Sequence, residues 1–420
     1  MLEKHVWRDF AAVTFSVAVL GIGLGSTLPL TALVLNARGF GPDVVGWMVA
    51  ASALGGIAGT LGSPAATMRF GRRRVMLGCV ALATASVMPL QYMSSLWGWT
   101  ALRLMFGASM APLFVLGEAW ISTLPGDAVR GRVVAIYTTS FTVFQVMGPL
   151  LTNALSHFPN SVFLISGGIF LLGAPGIALA RDGDGRDRQP ATGESGGEKD
   201  SRADKDFRAE NDSRAKNDSR AEKDANASWA GIVRKAPAII AGAAFFAAFD
   251  SIVLSFLPLV ALNYGFSRSR ALGAAAMVMA GDATLQFAAG ALADRYGRAR
   301  VQLIYGGLMC LLLPLLPVML HSAVWWAVYL YLLGGVAGAV YTLSLVASGD
   351  YFTGAALLRT SGLIALTWNI AGTVGPIVTG VAMKVVGNWG VAAVLWVMAV
   401  GLFGVLLRSE GRRALRSEFP

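Results

Sequence analysis

The chain has 420 residues, of which 55% are hydrophobic and only 14% are charged, and its mean hydropathy is +0.60. Ordinary soluble domains hold about 25% charged residues, so this composition excludes a soluble globular protein and predicts a membrane protein. The meaning of the formal net charge of +10 depends on where the basic residues lie along the chain. The two cysteines, Cys79 and Cys310, fall inside apolar runs, which favours small buried thiols over a disulfide or a metal site.

Apolar runs long enough to cross a bilayer as helices follow one another along the chain. Six precede a central gap and six follow it. They cover residues 10–36, 44–66, 75–94, 97–122, 132–153, 160–180, 236–260, 268–290, 300–319, 324–347, 357–383 and 387–407. Each run is apolar throughout instead of alternating, so we predict twelve transmembrane helices and not a β-barrel. The first run is long enough to span a membrane itself, and we expect no cleavable signal peptide before it.

Basic residues between the runs collect on alternate loops, as expected of loops that face the cytoplasm. One set of loops holds sixteen: Lys4, Arg8, Arg69, Arg72, Arg73, Arg74, Arg130, Arg132, Arg295, Arg298, Arg300, Arg359, Arg408, Arg412, Arg413 and Arg416. The other set holds four: Arg38, Arg268, Arg270 and Lys384. This asymmetry predicts a multi-pass protein of the cell inner membrane with both termini in the cytoplasm. The net positive charge then faces anionic lipid and does not indicate nucleic-acid binding.

The central gap separates two predicted six-helix domains, residues 1–181 and 236–408, with a short cytoplasmic tail at 409–420. The gap, residues 182–235, is highly charged; from Arg181 to Lys235 there are thirteen basic and thirteen acidic residues. A six-residue unit recurs in it, as in Asp212-Ser-Arg-Ala and Asp218-Ser-Arg-Ala. Six residues match neither a heptad nor a helical stripe, so we predict a disordered cytoplasmic linker, with partner docking as the alternative.

Landmarks in the two halves repeat in register. Trp99 and Gly107 match Trp326 and Gly334 at an offset of 227 residues, and Gly148-Pro149 matches Gly375-Pro376 at the same offset. Other pairs lie at offsets of 226 or 229: Phe70-Gly71-Arg72 with Tyr296-Gly297-Arg298, Gly39-Phe40 with Gly265-Phe266, and Leu28-Pro29-Leu30 with Leu257-Pro258-Leu259. The halves are therefore predicted to be one duplicated six-helix unit, related by an axis along the membrane normal.

The loop after the eighth run reads Gly290-Ala-Leu-Ala-Asp294-Arg295-Tyr-Gly297-Arg298-Ala-Arg300. It resembles the signature G-x-L-A-D-R-x-G-R-[KR] of the major facilitator superfamily, whose members are twelve-span secondary transporters. The resemblance implies an all-α fold of two pseudo-symmetric six-helix bundles. By the same resemblance, the chain is expected not to be an enzyme and to need no cofactor. The fourth run, Phe114-Val-Leu-Gly-Glu118-Ala-Trp120-Ile121, further resembles a poorly characterised bacterial branch of sugar-efflux-like facilitators.

A gating latch is implied by this loop, with Gly290, Asp294, Arg295, Gly297 and Arg298 in the second half. Asp294 would end its helix and accept hydrogen bonds from Arg298 or from neighbouring helix ends, and the glycines would permit a tight turn. The first-half loop keeps Gly71 and Arg72, but it has Met68 where the family has Asp and Pro64 where it has Gly. We therefore expect a weaker latch in the first half and asymmetric gating. The alternative is a simple basic loop.

Four charged residues lie inside apolar runs, where charge is costly and usually functional: Arg103, Glu118, Asp250 and Asp282. Arg103 begins an R-x-x-x-G-x-[GS] element that the family links to proton coupling; the alternative is an arginine that reaches the outer surface. Glu118 is either a structural carboxylate or a proton carrier. Asp250 and Asp282 lie near mid-membrane, where a carboxyl group can bind and release a proton near neutral pH. They are our candidates for proton coupling, with substrate hydrogen bonding as the alternative.

Polar and aromatic residues near mid-span are the candidates for substrate contact: Tyr137, Gln145, Gln286, Tyr341, Trp368 and Asn369. Taken singly, each of these residues is better explained by helix packing than by contact with a ligand. Together they suit a neutral or weakly charged flat molecule or a sugar, and riboflavin is one example of such a solute.

The direction of transport is indicated by the fifth run. The extended glycine element of drug and proton antiporters is missing there, since Leu150 and Leu151 follow Gly148-Pro149. We therefore expect a carrier for proton-coupled uptake, with proton-antiport efflux of sugars or drugs as the alternative. The carrier is expected to be a monomer. A membrane-embedded enzyme or receptor is disfavoured because the three histidines, His5, His157 and His321, lie near span ends and form no metal or catalytic motif.

Overall fold

The computed structural model describes residues 4–123, 130–180, 229–322, 324–352 and 354–418. Within these ranges it is helical, as expected where lipid leaves every backbone polar group to be satisfied inside its own segment. The helices that we number as spans are α1 (Lys4–Ala37), α2 (Pro42–Phe70), α3 (Arg72–Gln91), α4 (Leu96–Thr123), α5 (Arg130–Leu155), α6 (Val162–Leu179), α7 (Pro237–Asn263), α8 (Arg268–Tyr296), α9 (Arg298–Leu320), α10 (Trp325–Tyr351), α11 (Gly354–Val386) and α12 (Trp389–Glu418). Eleven of them are long and apolar enough to cross a membrane by length and composition, and α5, with 26 residues, is the twelfth helix of the set.

Proline interrupts three of these helices. Helix α3 ends in a 3-10 turn at Met88–Gln91, and α9 contains one at Leu313–Leu315. Helix α6 breaks between Leu171 and Ala174, just before Pro175. Each break fits the loss of a backbone donor at proline.

The predicted linker differs from the structure at its C-terminal end. Residues Trp229–Lys235 form a short helix, in which Ile232 is buried against Phe352 and its neighbours. The prediction of disorder up to Lys235 is therefore wrong for these seven residues, because one apolar side chain in this stretch finds a packing partner. Residues 181–228 of the linker lie outside the described ranges. At the C-terminus, α12 continues to Glu418, so the predicted tail begins as part of that helix.

The internal repeat is visible in how the helices pack. In the first bundle, a Cβ atom added to Gly55 or Gly107 would overlap the backbone carbonyl of Leu104 or Ser52, which places α2 and α4 in direct backbone contact. In the second bundle, Gly281 and Gly334 meet the carbonyls of Tyr331 and Val278 in the same way, between α8 and α10. These four contacts match at offsets of 226 and 227 residues. The chain is thus two six-helix bundles built on one plan.

Matching glycines also make the matching turns. Gly71 and Gly297 follow α2 and α8 with φ of 82° and 92°, and Gly39 and Gly265 follow α1 and α7 with φ of 82° and 84°. No neighbouring atom lies within 4 Å of a Cβ at any of the four. The turns require glycine for its left-handed backbone conformation and not for space.

The two bundles meet mainly through α2 against α11 and α5 against α8, and α1 also contacts α7. We call the end of the molecule that holds Arg8, Arg69, Arg72, Arg298 and Arg408 the basic end. The other end, which holds Asp43 and Lys384, is the opposite end. We use the word cavity for the space enclosed by these helices at the interface of the two bundles.

Candidate transport site

The bundles are closed at the opposite end. Helices α2 and α11 touch there at backbone distance, since a Cβ atom on Gly46 would overlap the carbonyl of Pro376. Further along the same pair, the Lys384 Nζ lies 3.0 Å from an Asp43 carboxylate oxygen. On the other side of the molecule, Asn153 of α5 donates to the Ser269 hydroxyl of α8 at 3.2 Å.

Toward the basic end, α2 and α11 separate. The last cross-bundle contact described on this face is that of Asn369, whose amide oxygen occupies the space where a Cβ of Gly56 would stand. Gly362 lies seven residues, or two turns, nearer the basic end on the same face of α11. It is exposed, and nothing lies within 4 Å of a Cβ built there. Among the described residues, α2 and α11 therefore contact each other toward the opposite end and are apart toward the basic end.

Asp250 of α7 and Asp282 of α8 come together in the second bundle. They are 7% and 8% exposed, and the negative charge of Asp250 acts on Asp282. Asp282 is held against α10, because its carboxylate fills the place of a Cβ at Gly338. Within the described part of the chain, neither carboxylate accepts a hydrogen bond or forms an ion pair. We call these two residues the carboxylate pair.

An aromatic cluster lies one helical turn from the carboxylate pair toward the basic end. Phe246 of α7 stacks on Tyr341 of α10 with ring centroids 5.0 Å apart. Trp368 of α11 meets both rings edge to face, at centroid distances of 5.7 and 5.3 Å. Tyr341 and Trp368 are half-buried, whereas Phe246 is buried behind them. The cluster gives the cavity a flat, aromatic wall.

An amide group lies on the same level as the aromatic cluster. The Thr342 hydroxyl of α10 donates to the Gln286 side chain of α8 at 2.9 Å, and the Gln286 amide contacts the carbonyl of Ala283 at 3.4 Å. Both residues are half-buried. Of the predicted substrate contacts, Gln286, Tyr341 and Trp368 are thus brought to one region, next to the carboxylate pair.

Glu118 of α4 reaches the same cavity from the first bundle. Its side chain is exposed, yet its charge acts on Tyr137 of α5 and on Tyr341 of the second bundle. Glu118 follows Phe114 by one helical turn on the same face of α4, and Phe114 meets Phe141 of α5 edge to face, so this face of α4 is turned toward α5. Tyr341 is thus within range of the charges of both Asp282 and Glu118.

Arg103 lies elsewhere, at the contact between α2 and α4. It is fully buried, with 0% exposure, so the alternative of an arginine that reaches the outer surface is wrong. Its Nε atom donates to the Met48 carbonyl at 3.5 Å, and its guanidinium lies 5.0 Å from the centroid of the Phe106 ring. The two terminal nitrogens have no hydrogen-bond partner among the described residues.

The remaining predicted substrate contacts are dispersed. Tyr137 is buried in the first bundle beside Gly117. Gln145 is buried where α5 packs on α1, and its backbone carbonyl meets Gly25. Asn369 is occupied in the contact with Gly56, and its amide nitrogen donates to the Ala365 carbonyl at 2.9 Å. Their part in substrate binding stays a prediction.

The gating loop lies at the basic end. Asp294 is exposed over 76% of its side chain and lies 4.0 Å from Arg298. Gly297 makes the turn between α8 and α9, but Gly290 lies inside α8, so the prediction that it shapes the turn is wrong. Arg295 packs over the ring of Tyr296. In the first-half loop, the Arg72 guanidinium lies 4.4 Å from the centroid of the Trp120 ring, and Met68 is 84% exposed.

Several residues of this site escaped the sequence analysis. Phe246 and Thr342 are ordinary members of apolar runs, and only the packing of α7, α8 and α10 shows their position. The Asp43–Lys384 pair joins residues 341 positions apart, each of which resembles a normal loop residue. A signal was available for Gly338, since a small residue opposite a buried carboxylate is typical of close helix contacts.

Comparisons with known proteins agree with this architecture. The family model described as Major Facilitator Superfamily matches residues 13–281 and 239–417. An uncharacterised MFS-type transporter of Bacillus subtilis (strain 168), YfkF, is 22% identical over 162 residues, 39% of this chain and 41% of that protein. A second from the same organism, YuxJ, is 31% identical over 109 residues, 25% of this chain and 28% of its own length. The matched segments thus span less than half of these relatives.

Solved structures of similar fold cover nearly the whole chain. The crystal structure of a D-xylose-proton symporter has a TM-score of 0.70 at 14% identity and covers 95% of this chain and 97% of its own. The xylose transporter XylE from E. coli, in a partially occluded inward-open conformation, has a TM-score of 0.71 at 16% identity, with 97% and 98% covered. The nucleoside transporter NupG (D323A mutant) has a TM-score of 0.68 at 12% identity, with 96% and 99% covered.

Proposed function

Because the chain belongs to the Major Facilitator Superfamily and is a secondary transporter of a small molecule, we propose that it couples transport to protons through Asp250 and Asp282. The observation that carries the proposal is the carboxylate pair. Two buried carboxylates that repel each other and have no positive partner among the described residues are costly when both are charged. Binding a proton removes most of that cost, so the pair suits a proton site that loads and unloads during the transport cycle.

The orientation follows from the charges of the two ends. With the basic end in the cytoplasm, the open side of the cavity faces inward and the Asp43–Lys384 pair closes the outer side. A solute would bind from one side after the two bundles rock about the cavity, as in alternating access. The membrane is then the cell inner membrane, and both termini are cytoplasmic.

The leading direction is uptake of a small organic solute together with a proton. It is supported by α5, where no glycine pair follows Gly148-Pro149, since the next four residues are Leu150, Leu151, Thr152 and Asn153. The aromatic cluster and the Gln286 amide next to the carboxylate pair support a solute with a flat ring, and a vitamin such as riboflavin has this shape.

Efflux by proton exchange is the second candidate, and a specific observation favours it. Both carboxylates retain a small exposed fraction, and they border the aromatic wall of the cavity. A carboxylate that binds a solute through its negative charge cannot hold a proton at the same time. Competition of this kind drives exchange, not joint uptake.

Transport into proteoliposomes distinguishes the two directions. A panel of vitamins, sugars and drugs is offered with a proton gradient imposed in either sense. Accumulation driven by an inward proton gradient establishes uptake, whereas accumulation only against an opposing gradient establishes exchange. Asp250→Asn and Asp282→Asn are measured in parallel, with Glu410→Gln as an isosteric control at the basic end of α12. Gradient-driven accumulation that survives both aspartate variants would overturn proton coupling through the pair.

A further inference from the structure

Three carboxylates, those of Asp250, Asp282 and Glu118, lie on one side of the cavity with no positive charge among the described side chains to balance them. The charge of Asp250 acts on Asp282. The charges of Asp282 and Glu118 both act on Tyr341. Of the lysines and arginines in the described apolar spans, only Arg103 lies more than one turn from a span end, and it is fully buried between α2 and α4 without an ion pair. The other basic residues of these helices lie at the two ends. The cavity is therefore negative at its centre.

The aromatic wall next to these carboxylates has the geometry of a cation site. The rings of Tyr341 and Trp368 lie 5.3 Å apart at an angle of 69°, so they form two walls of a corner. Phe246 stacks behind Tyr341 and fixes its plane. The faces of such rings attract a cation that lies within about 6 Å of the ring centroid. Phe246 lies one helical turn from Asp250 on α7, so the aromatic corner adjoins the carboxylate pair.

We propose that the cavity binds a small organic cation with a flat ring, its positive centre at Asp250 and Asp282 and its ring against Tyr341 and Trp368. The inference rests on the second candidate of the proposed function, exchange of the solute against protons, because cation and proton compete for the same carboxylates, and it takes this cavity as the transport site. It departs from the neutral solute that the aromatic and amide residues indicate by themselves. The sequence did not show that Glu118, Asp250 and Asp282 border one cavity without a counter-ion.

Proton and cation compete in this arrangement. A bound cation compensates one negative charge of the pair, so its binding releases a proton to the solvent. The titratable groups that face the pair are Tyr341 of α10 and, beyond it, Glu118 of α4. In their described stretches, α1, α2, α11 and α12 carry no charged side chain at this level. Cation binding should therefore weaken as the pH falls.

A series of matched ligands tests the charge requirement directly. The probes are N-methylquinolinium, a flat cation; quinoline, which has the same rings and is neutral at pH 7; and quinoline-2-carboxylate, an anion. Binding to the purified full chain is measured by isothermal titration calorimetry. We expect the cation to bind about tenfold or more tightly than quinoline, the range of one interaction with a charged group, and the anion to bind most weakly. Equal affinity for cation and neutral probe would overturn the inference without any variant.

Variants locate the cation. Asp250→Asn and Asp282→Asn should each reduce the preference for the cation over quinoline about tenfold, whereas Glu410→Gln should leave it unchanged. Trp368→Leu should weaken the binding of N-methylquinolinium more than Tyr341→Phe does, because Tyr341→Phe keeps the aromatic ring. An unchanged preference in both aspartate variants, confirmed as folded by their elution as single species, would contradict the assignment.

The same variants separate this inference from the proposed function. If the aspartate variants lose gradient-driven transport while the cation preference is absent in the wild type, proton coupling holds and the ligand class is wrong. If the cation preference depends on the pair but no proton gradient drives transport, the binding site holds and proton coupling is wrong.

Discussion

The two bundles share one framework but differ in where they place charge. At the offsets of the repeat, Asp282 corresponds to Gly56 and Asp250 to Gly21. In the first bundle these positions serve packing: Gly56 accepts Asn369 of α11, and Gly21 lies against the backbone of Phe141. In the second bundle the same positions hold the carboxylate pair. Duplication has kept the helix contacts, and the proton chemistry that we propose lies in the second copy.

The aromatic pairs show the same division. Phe114 and Phe141 correspond to Tyr341 and Trp368 at an offset of 227. Each pair meets edge to face, with centroids 5.0 and 5.3 Å apart. Only the second pair carries a hydroxyl and an indole nitrogen. The ring geometry therefore belongs to the shared scaffold, whereas the polar groups distinguish the second bundle.

The largest expected effect concerns the shared framework. Gly107→Val and Gly334→Val each force a branched side chain into a backbone carbonyl of the neighbouring helix. Overpacking of this kind costs about 1–3 kcal/mol or more, so both variants should lose folded protein or melt at lower temperature. The melting temperature is measured by heating the protein and recording, at each temperature, how much of it still elutes as a monodisperse species.

Gly78→Ala and Gly273→Ala are the matched controls, because a Cβ at either position meets nothing within 4 Å. Both should retain the wild-type melting temperature or exceed it, since alanine favours a helix over glycine. If Gly107→Val kept the wild-type melting temperature while Gly334→Val lost it, the two helix contacts would not be equivalent.

A smaller effect is expected at the opposite end. Lys384→Gln removes a partly exposed ion pair with Asp43 that holds α2 to α11. Such pairs contribute about 0.2–1 kcal/mol, so the population open at the opposite end should increase up to fivefold or so. Labelling of a cysteine that replaces Ile377, which packs at Gly46 in the contact of α2 with α11, measures that population. Asp43→Asn should act in the same direction, and a shift toward the closed state in either variant contradicts this role.

The smallest effect concerns the latch of the first bundle. Met68→Asp supplies the carboxylate that the second-half loop has at Asp294. Met68 is exposed at the basic end in this open conformation, so the new carboxylate would act when the basic ends close. We expect a shift of a few tenths of a kcal/mol toward that closed state, as for other exposed ion pairs. Met68→Asn is the uncharged control, and equal accessibility of the cavity in the two variants would count against the latch.

Much of the framework could be predicted from the sequence, because it depends on local and repeated patterns. The run predicted at 44–66 lies inside α2, and the turn glycines Gly71 and Gly297 were found through the repeat. The helix at Trp229–Lys235 was missed, since one buried Ile232 in a charged segment carries no periodic signal. The depth of Asp250 and Asp282 followed from their distance along each run.

The site itself could be predicted only in part. Depth in a span does not fix the rotation of a helix, so the approach of Asp250 to Asp282 could not be foreseen. Arg103 near the end of its run indicated a side chain that reaches the surface, but the contact of α2 with α4 buries it. The Asp43–Lys384 pair depends on how two bundles dock, which no pattern within one bundle records.

The most direct test of the central claim compares accumulation with exchange in carboxylate variants of the two bundles. Proteoliposomes with Asp250→Asn, Asp282→Asn or Glu118→Gln are assayed for gradient-driven accumulation and for counterflow of the same labelled solute. The account predicts that both aspartate variants lose accumulation and keep counterflow at saturating solute, whereas Glu118→Gln in the first bundle keeps both. Accumulation that persists in the aspartate variants, or that is lost only in Glu118→Gln, would contradict it.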